Sequence, residues 1–326
     1  MLRAYGGPEA LSWETEEIGA PGAGEIAVRH TAVGVNFIDV YQRTGLYPIP
    51  LPACLGREAA GVIEAVGKKV RGFKAGDRVA YLSSGAGSYR ECRNIPADRA
   101  FKLPAQISDR SAAAMMLKGL TAWYLLRRTY PVRTGDAIAV HAAAGGVGLI
   151  LCQWARCLGA RVIGIVGSDA KAELALKHGC HSIFIAGRED WVAGVKKLTH
   201  GAGVAVVYDS VGKDTFSQSL DVLRPLGMMV SYGNSSGPVP SFAPLELARR
   251  GSLFFTRPTL DHYVPTRARL EGAVRELFAV VKSGKVRIRV GQTYALQDAA
   301  QAHRDLEARR TTGSTVLLPA GMTPRA

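Results

Sequence analysis

No run of 18 or more apolar residues occurs in the sequence, so no segment is long enough to read as a membrane-spanning helix. The opening residues, Met1-Leu2-Arg3-Ala4-Tyr5-Gly6-Gly7, lack the apolar stretch of a signal peptide. Cysteine is scarce: there are five, at Cys54, Cys92, Cys152, Cys157 and Cys180. They form no C-x-x-C pair and no Cys/His zinc spacing, and Cys152 and Cys157 share one helix where packing explains them. These absences lead us to expect reduced, structural thiols, no membrane partner and a cytoplasmic location. There is also no basic tract. The net charge is +14, yet the basic residues come in ones and twos, such as Arg127-Arg128, Lys196-Lys197, Arg249-Arg250 and Arg309-Arg310. A solvated surface with a cleft for a polyanionic cofactor accounts for this charge, and nucleic acid is disfavoured as a partner. No internal repeat or low-complexity segment is present. What remains is an ordinary globular composition, 47% hydrophobic and 21% charged over 326 residues, a length that favours two domains.

The stretch from Ala137 to Ile150 organises the rest. Ala137–Val140 is a short apolar run of the buried-strand kind, followed by small residues and glycines and then a helical pattern, Val147–Leu158, with Leu151, Trp154, Ala155 and Leu158 on one face. The turn is a G-x-G-x-x-G variant in which Ala143 takes the first place, Gly145 and Gly148 the later two. Strand, glycine-rich turn and helix in that order bind a dinucleotide pyrophosphate at the helix N-terminus. A tight strand–helix turn would look the same, so the surroundings decide.

Before Ser111 the chain reads as short strands and Gly/Pro turns. Ile26–Val35, Ala59–Val66 and Arg78–Leu82 stand out, as expected of a β-rich, barrel-like unit. Helical patterns at Ala112–Leu117 and Thr121–Leu126 cross to a second region. From there strands and helices alternate: strand Arg161–Val166, helix Ala170–His178, strand Ile183–Ile185, helix Glu189–Thr199, strand Val204–Asp209, helix Phe216–Leu223, strand Met228–Tyr232 and strand Leu253–Phe255. With the first strand this makes an α/β, six-stranded, doubly wound parallel sheet. A long helix Thr266–Ser283, a strand Val286–Val290, a helix Leu296–Glu307 and a strand Ser314–Leu318 are too little for a third domain and complete the first. The expected division is 1–117 with 259–326, and 118–258.

An acidic residue about 20 positions past the glycines marks a site for the ribose 2′-hydroxyl of NAD. Ser168 occupies that place, in Gly167-Ser168-Asp169-Ala170-Lys171. A hydroxyl and Lys171 suit a 2′-phosphate better, which favours NADPH. Asp169 is expected to cap the following helix.

Blocks spread nearly end to end now resemble one family: Val35-Asn36-Phe37-Ile38-Asp39, Gly45-Leu46-Tyr47-Pro48, Glu58-Ala59-Ala60-Gly61, Gly76-Asp77-Arg78-Val79, Leu117-Lys118-Gly119-Leu120-Thr121, Tyr208-Asp209-Ser210-Val211-Gly212, Gly233-Asn234-Ser235-Ser236-Gly237 and Thr256-Arg257-Pro258. They resemble the zinc-independent, zeta-crystallin-like quinone oxidoreductases of the medium-chain dehydrogenase/reductase superfamily. The resemblance implies a GroES-like barrel as catalytic domain, a Rossmann domain for NADPH, no flavin, a cofactor in the cleft and a homodimer. By the same resemblance the nicotinamide end meets Asn36, Phe37, Ile38, Asp39 and Tyr41, with Thr121 and Tyr124 from the crossing helix. Gly146 and Val147 touch the pyrophosphate and Ser168 with Lys171 the 2′-phosphate, with Gly145 and Gly167 as further cofactor-binding residues. Gly233, Asn234, Ser235, Ser236, Pro258, Thr259, Leu260 and Arg309 complete the set. For the loop residues, turn chemistry is the competing explanation.

No metal is expected. Zinc relatives use an early Cys, a Gly-His-Glu block and a later Cys, whereas this chain has Asn36 and Gly56-Arg57-Glu58, and only Cys92 near the structural-zinc lobe. His141 is read as a core or supporting residue. Relatives stack a Tyr on the adenine where this chain has Ala186, so that task is lost or passes to Arg188.

A quinone is already electrophilic, so the protein has to orient the hydride donor and keep a dry slot. Asn36, Tyr41 and Tyr47 are the expected polar lining, with barrel packing as the alternative for both tyrosines. An ordinary tyrosine, with a pKa of about 10, is a poor proton donor, which leaves protonation to solvent. Three readings stay open: an NADPH:quinone reductase, by hydride or by single electrons; a 2-alkenal or enone reductase; and a low-turnover NADPH-binding structural or nucleic-acid-binding protein.

Overall fold

The structure, a computed structural model, describes residues 1–83 and 85–321 and divides into two units, 1–118 with 288–321 and 119–287. The last five residues of the expected 259–326 stretch lie outside the described residues.

In the first unit, β1 (Glu25–Val35), β2 (Glu58–Val66), β3 (Arg78–Leu82), β4 (Cys92–Pro96) and β5 (Ala100–Lys102) are built from the alternating segments seen in the sequence. β1 pairs antiparallel with β2 along its length, with register shifts at Ala27/Val28 and His30/Ala32. Such irregularities bend a strand. The first half of β1 accordingly pairs with β4 and its last three residues pair with a strand from the chain's end, which curls the sheet into a barrel-like layer. Ile26, Val28, Val33, Val35, Ile63, Val79, Tyr81 and Ile95 fill its core. Between β5 and the second unit the chain forms the helix Asp109–Ala113, capped by Ser108 Oγ, and then the helix Met116–Tyr124. The sequence placed the first of these at Ala112–Leu117; the Ser108 cap moves it earlier.

The second unit holds β6 (Ala137–His141), β7 (Arg161–Val166), β8 (Ser182–Ile185), β9 (Val204–Asp209), β10 (Leu223–Ser231) and β11 (Phe254–Thr256). They form one parallel sheet in the order β11-β10-β9-β6-β7-β8. Both faces are covered, and every residue of β9 is buried, as its unbroken apolar pattern requires. Order reverses between β6 and β9, the switch point at which such sheets bind ligands. The helix Arg267–Lys282 belongs to this unit, with Leu270, Ala273, Val274 and Leu277 buried; Leu277 lies over Gly119, where a Cβ would come within 2.5 Å of it. The second unit thus runs to Arg287 instead of 258.

β12 (Val290–Ala295) and β13 (Ser314–Leu318) return to the first sheet, β13 antiparallel to β1 and parallel to β12. Of the strand expected at Val286–Val290 only Val290 is paired. Arg287 is held there by both ends of the Gln153 side-chain amide, at 2.9 and 3.1 Å, so its backbone bonds go to a side chain and pairing starts at Val290.

Candidate active site

In the first unit, Asn36 stands between β1 and the helix Phe37–Arg43 and is 7% exposed. Its Nδ2 donates to Glu58 Oε1 at 2.9 Å. Glu58 is fully buried and also accepts Lys118 Nζ at 2.9 Å and the Leu117 N–H at 2.7 Å. An ionised carboxylate only accepts, so the amide nitrogen must face Glu58 and the orientation of Asn36 is set by chemistry. The helix then carries Phe37 and Ile38, both half-buried, followed by Asp39 and Tyr41. The Tyr41 ring sits 6.0 Å from Phe37 and meets Tyr47 edge-on at 5.1 Å. The Asp39 carboxylate accepts the Asn36 backbone N–H and the Tyr89 hydroxyl, each at 2.9 Å. Burial pushes its pKa up to about 7, against those two hydrogen bonds. The structure therefore gathers Asn36, Phe37, Ile38, Asp39, Tyr41 and Tyr47 on one turn and helix. Arg309 lies on the exposed segment after the helix Ala299–Glu307, with φ of +59°.

In the second unit the expected cofactor residues follow the carboxyl ends of successive parallel strands. Gly145 caps the helix Gly146–Cys157, which begins with Gly146 and Val147. A Cβ on Gly148 would come within 2.3 Å of the Ala142 carbonyl oxygen, so only glycine lets the turn fold back this tightly. Gly167 follows β7 and has open space where a Cβ would be. Ser168 Oγ accepts the Lys171 N–H at 3.4 Å and caps the helix Asp169–Lys177. Gly233–Ser236 follow β10, and Pro258, Thr259 and Leu260 follow β11. Thr121 and Tyr124 lie on the helix Met116–Tyr124, where Tyr124 stacks on Tyr263 at 4.7 Å.

Two details correct the sequence reading. Asp169 does not cap its helix; Ser168 does. The Asp169 carboxylate instead takes two hydrogen bonds from Arg188, at 2.8 and 2.6 Å, which engage the guanidinium expected near the adenine. His141 is a core residue, as expected, with Nε2 2.9 Å from Ser219 Oγ.

Sequence reasoning missed two charge centres. Lys118 and Glu58 are sixty positions apart, and only the fold shows them paired. Asp209 is fully buried and accepts the N–H groups of Val211 and Gly212 and the hydroxyls of Thr215 and Ser219, which fixes the turn after β9. Both acids stood inside the recurrent blocks, the one signal available.

A GroES-like barrel joined to a doubly wound nucleotide-binding unit defines a dehydrogenase/reductase of the alcohol dehydrogenase type. The pattern described as "Alcohol dehydrogenase GroES-like domain" matches residues 22–105, and that described as "Zinc-binding dehydrogenase" matches 146–278. The quinone oxidoreductase of Pseudomonas aeruginosa is 50% identical over 320 residues, 98% of each chain. The 2-haloacrylate reductase of a Burkholderia species is 45% identical over 327 residues, again 98% of each. The crystal structure of Escherichia coli quinone oxidoreductase complexed with NADPH superposes with a TM-score of 0.95 at 49% identity, covering 98% of both chains. The chain belongs to the quinone oxidoreductase family of the medium-chain dehydrogenases/reductases.

The name of the wider family implies zinc, and these residues do not fit it. The wall that would hold the ion presents Asn36, Arg57, Glu58 and Lys118. Arg57 donates twice to the Ser83 carbonyl, at 3.0 and 3.2 Å, and the Lys118 ammonium occupies Glu58. Two fixed cations and an amide are not a zinc donor set. A dinucleotide does fit: the Gly148 close approach, the free N–H groups of a twelve-residue helix and the open space above Gly167 form a cradle for its phosphates.

Proposed function

We propose that the chain is an NADPH:quinone oxidoreductase that works without a metal. The carrying observation is the 50% identity, over nearly the whole of both chains, with a quinone oxidoreductase. Bound NADPH supplies two electrons and a proton as hydride from its nicotinamide C4. Gly145, Gly146 and Val147 would hold its pyrophosphate, and Ser168 with Lys171 its 2′-phosphate. No carboxylate occupies the Ser168 position to repel that phosphate. Phe37, Ile38, Asp39, Thr121, Tyr124, Gly167, Arg188, Gly233, Asn234, Ser235, Ser236, Pro258, Thr259, Leu260 and Arg309 complete the proposed contacts.

The chain's own contribution is orientation and dryness. Asn36 is locked by Glu58 and offers a fixed amide to a ligand carbonyl. Tyr41, 7% exposed, packs its ring on Phe37 and Tyr47, and its hydroxyl is the proposed donor to a developing oxyanion. A quinone asks for no more, because its reduction forms an aromatic ring. A second reading, hydride addition to an activated alkene, draws support from the 2-haloacrylate reductase relative.

The finer attributes follow from the same reading. The cytoplasm supplies the reduced nucleotide and is the proposed compartment. A homodimer is proposed through β11, an edge strand whose Phe254 is 55% exposed.

The test is NADPH oxidation with 1,4-benzoquinone, 9,10-phenanthrenequinone and an enal in parallel, NADH serving as control. The expected result is fast turnover of at least one quinone with NADPH and little with NADH. Turnover of the enal alone would transfer the assignment to the alkene reading, and no turnover of any acceptor would overturn both.

A further inference from the structure

The first unit contains a chain of polar side chains leading to Asp39, next to Asn36, and its members Tyr89, His303 and Arg43 have no part in the mechanism above. It runs over two helices. Asp39 and Arg43 lie one turn apart on Phe37–Arg43, and His303 and Glu307 one turn apart on Ala299–Glu307. Arg43 is 1% exposed and donates to both Glu307 oxygens, at 2.9 and 2.7 Å, and to the Gly6 carbonyl at 3.1 Å. Its Nη1 also lies 3.4 Å from His303 Nδ1. A guanidinium has only donors, so Nδ1 is the accepting nitrogen and the imidazole proton is on Nε2. That N–H faces the Tyr89 hydroxyl oxygen at 3.0 Å, which leaves the Tyr89 proton to donate to Asp39 Oδ2. Every donor points the same way, from Arg43 to Asp39. The reverse tautomer would turn the Tyr89 proton away from the carboxylate.

We propose that Tyr89, His303 and Arg43 are positioning residues: by this oriented chain they keep Asp39 Oδ2 a strong, anionic acceptor for the Asn36 backbone N–H, and so hold Asn36 in its working position. The inference rests on Asn36 facing the ligand.

Asp39 is the sensitive point. It is fully buried, and among the described residues its Oδ1 has no hydrogen-bond partner. The charged and titratable groups around it are Tyr89 ahead of β4, Glu58 on β2, Lys118 on the helix Met116–Tyr124, and His303 and Arg43 further along the chain. Burial raises its pKa to about 7 while Asn36, Tyr89 and Lys118 oppose and Glu58 adds to the rise. His303 is held neutral, its pKa pushed down to about 3 by burial and the Arg43 charge. It therefore remains a relay of polarity across the range in which Asp39 titrates. Losing the Tyr89 donor moves the midpoint of Asp39 upward.

Infrared titration of the protonated-carboxyl band in the ligand-free protein reads this directly, alongside the pH dependence of NADPH affinity. The parent should show a band that titrates near pH 7 and that Asp39→Asn removes. Tyr89→Phe and His303→Leu should move its midpoint upward and weaken NADPH binding at pH 7 but not at pH 9. His303→Gln, which can still accept and donate, should restore the parent midpoint. A midpoint unmoved by Tyr89→Phe and His303→Leu overturns the proposal. If Tyr89→Phe does not fold, the His303→Leu and His303→Gln comparison decides alone. The band needs no quinone, so failure of the quinone assignment and failure of this chain give different results.

Discussion

Arg188 on the turn after β8 and Asp169 at the start of the helix after β7 hold one another by two hydrogen bonds, with both side chains well exposed. An exposed ion pair is worth about 0–1 kcal/mol, so a phosphate dianion can take the guanidinium at little cost. Asp169 then acts as a competitor. Asp169→Asn should tighten NADPH binding a few-fold, and Arg188→Ala should weaken it by about tenfold, the cost of roughly one charge-assisted hydrogen bond. NADH binding should stay constant in both, as measured by calorimetric titration; an unchanged NADPH affinity in both would remove Arg188 from the site. The missing aromatic at Ala186 was legible in the sequence, but the pairing was not. Nineteen positions separate the two charges, and only two adjacent strands ending side by side bring them together. Tyr41→Phe makes a cleaner change, since the ring contact with Tyr47 survives. Turnover should fall about tenfold, the loss of one hydrogen bond to the developing oxyanion, and full activity would leave Tyr41 with packing alone.

At the scale of elements, strand β2 and the helix Met116–Tyr124 are tied by the buried Glu58–Lys118 pair. Removing one partner strands a charge that water cannot reach. Lys118→Met should cost about 3–5 kcal/mol in denaturant unfolding, and adding Glu58→Gln should recover much of it. A single-variant loss below about 1 kcal/mol would show the pair to be hydrated. The turn after β6 carries a second test. Gly148→Ala drives a Cβ into the Ala142 carbonyl, a backbone atom that cannot swing aside, so both NADPH affinity and stability should drop together. Elements of this kind were readable because periodicity and glycine placement are local. β7, β9 and β13 fall where the apolar runs put them. The segment 286–289 alternates equally well and is not a strand, because Gln153, more than 130 positions away, captures its backbone. Local pattern cannot report a partner of that sort.

For the whole molecule, composition and the order of strands and helices revealed two folding units, but the second return point was misjudged. The helix Arg267–Lys282 buries its apolar stripe in the nucleotide-binding unit, so the chain goes back to the barrel only at Ile288. An amphipathic pattern says that a face is covered without saying by what. Assembly raises the same question, and here the edge of the parallel sheet offers an answer. Among the described residues β11 pairs only with β10, which makes it an edge strand of the sheet, and Phe254 in it is 55% exposed. Leu226 in β10 and Leu245 in the helix before β11 are exposed apolar side chains as well. Unprotected edges promote association unless a partner covers them. Two copies meeting about a twofold axis at β11 would satisfy both edges with one interface. Light scattering should therefore give the parent twice the chain mass at micromolar concentration, while Phe254→Lys, which places like charges opposite each other across the axis, should give a folded monomer. A parent that stays monomeric, or a Phe254→Lys variant that stays dimeric, would put the interface elsewhere or nowhere.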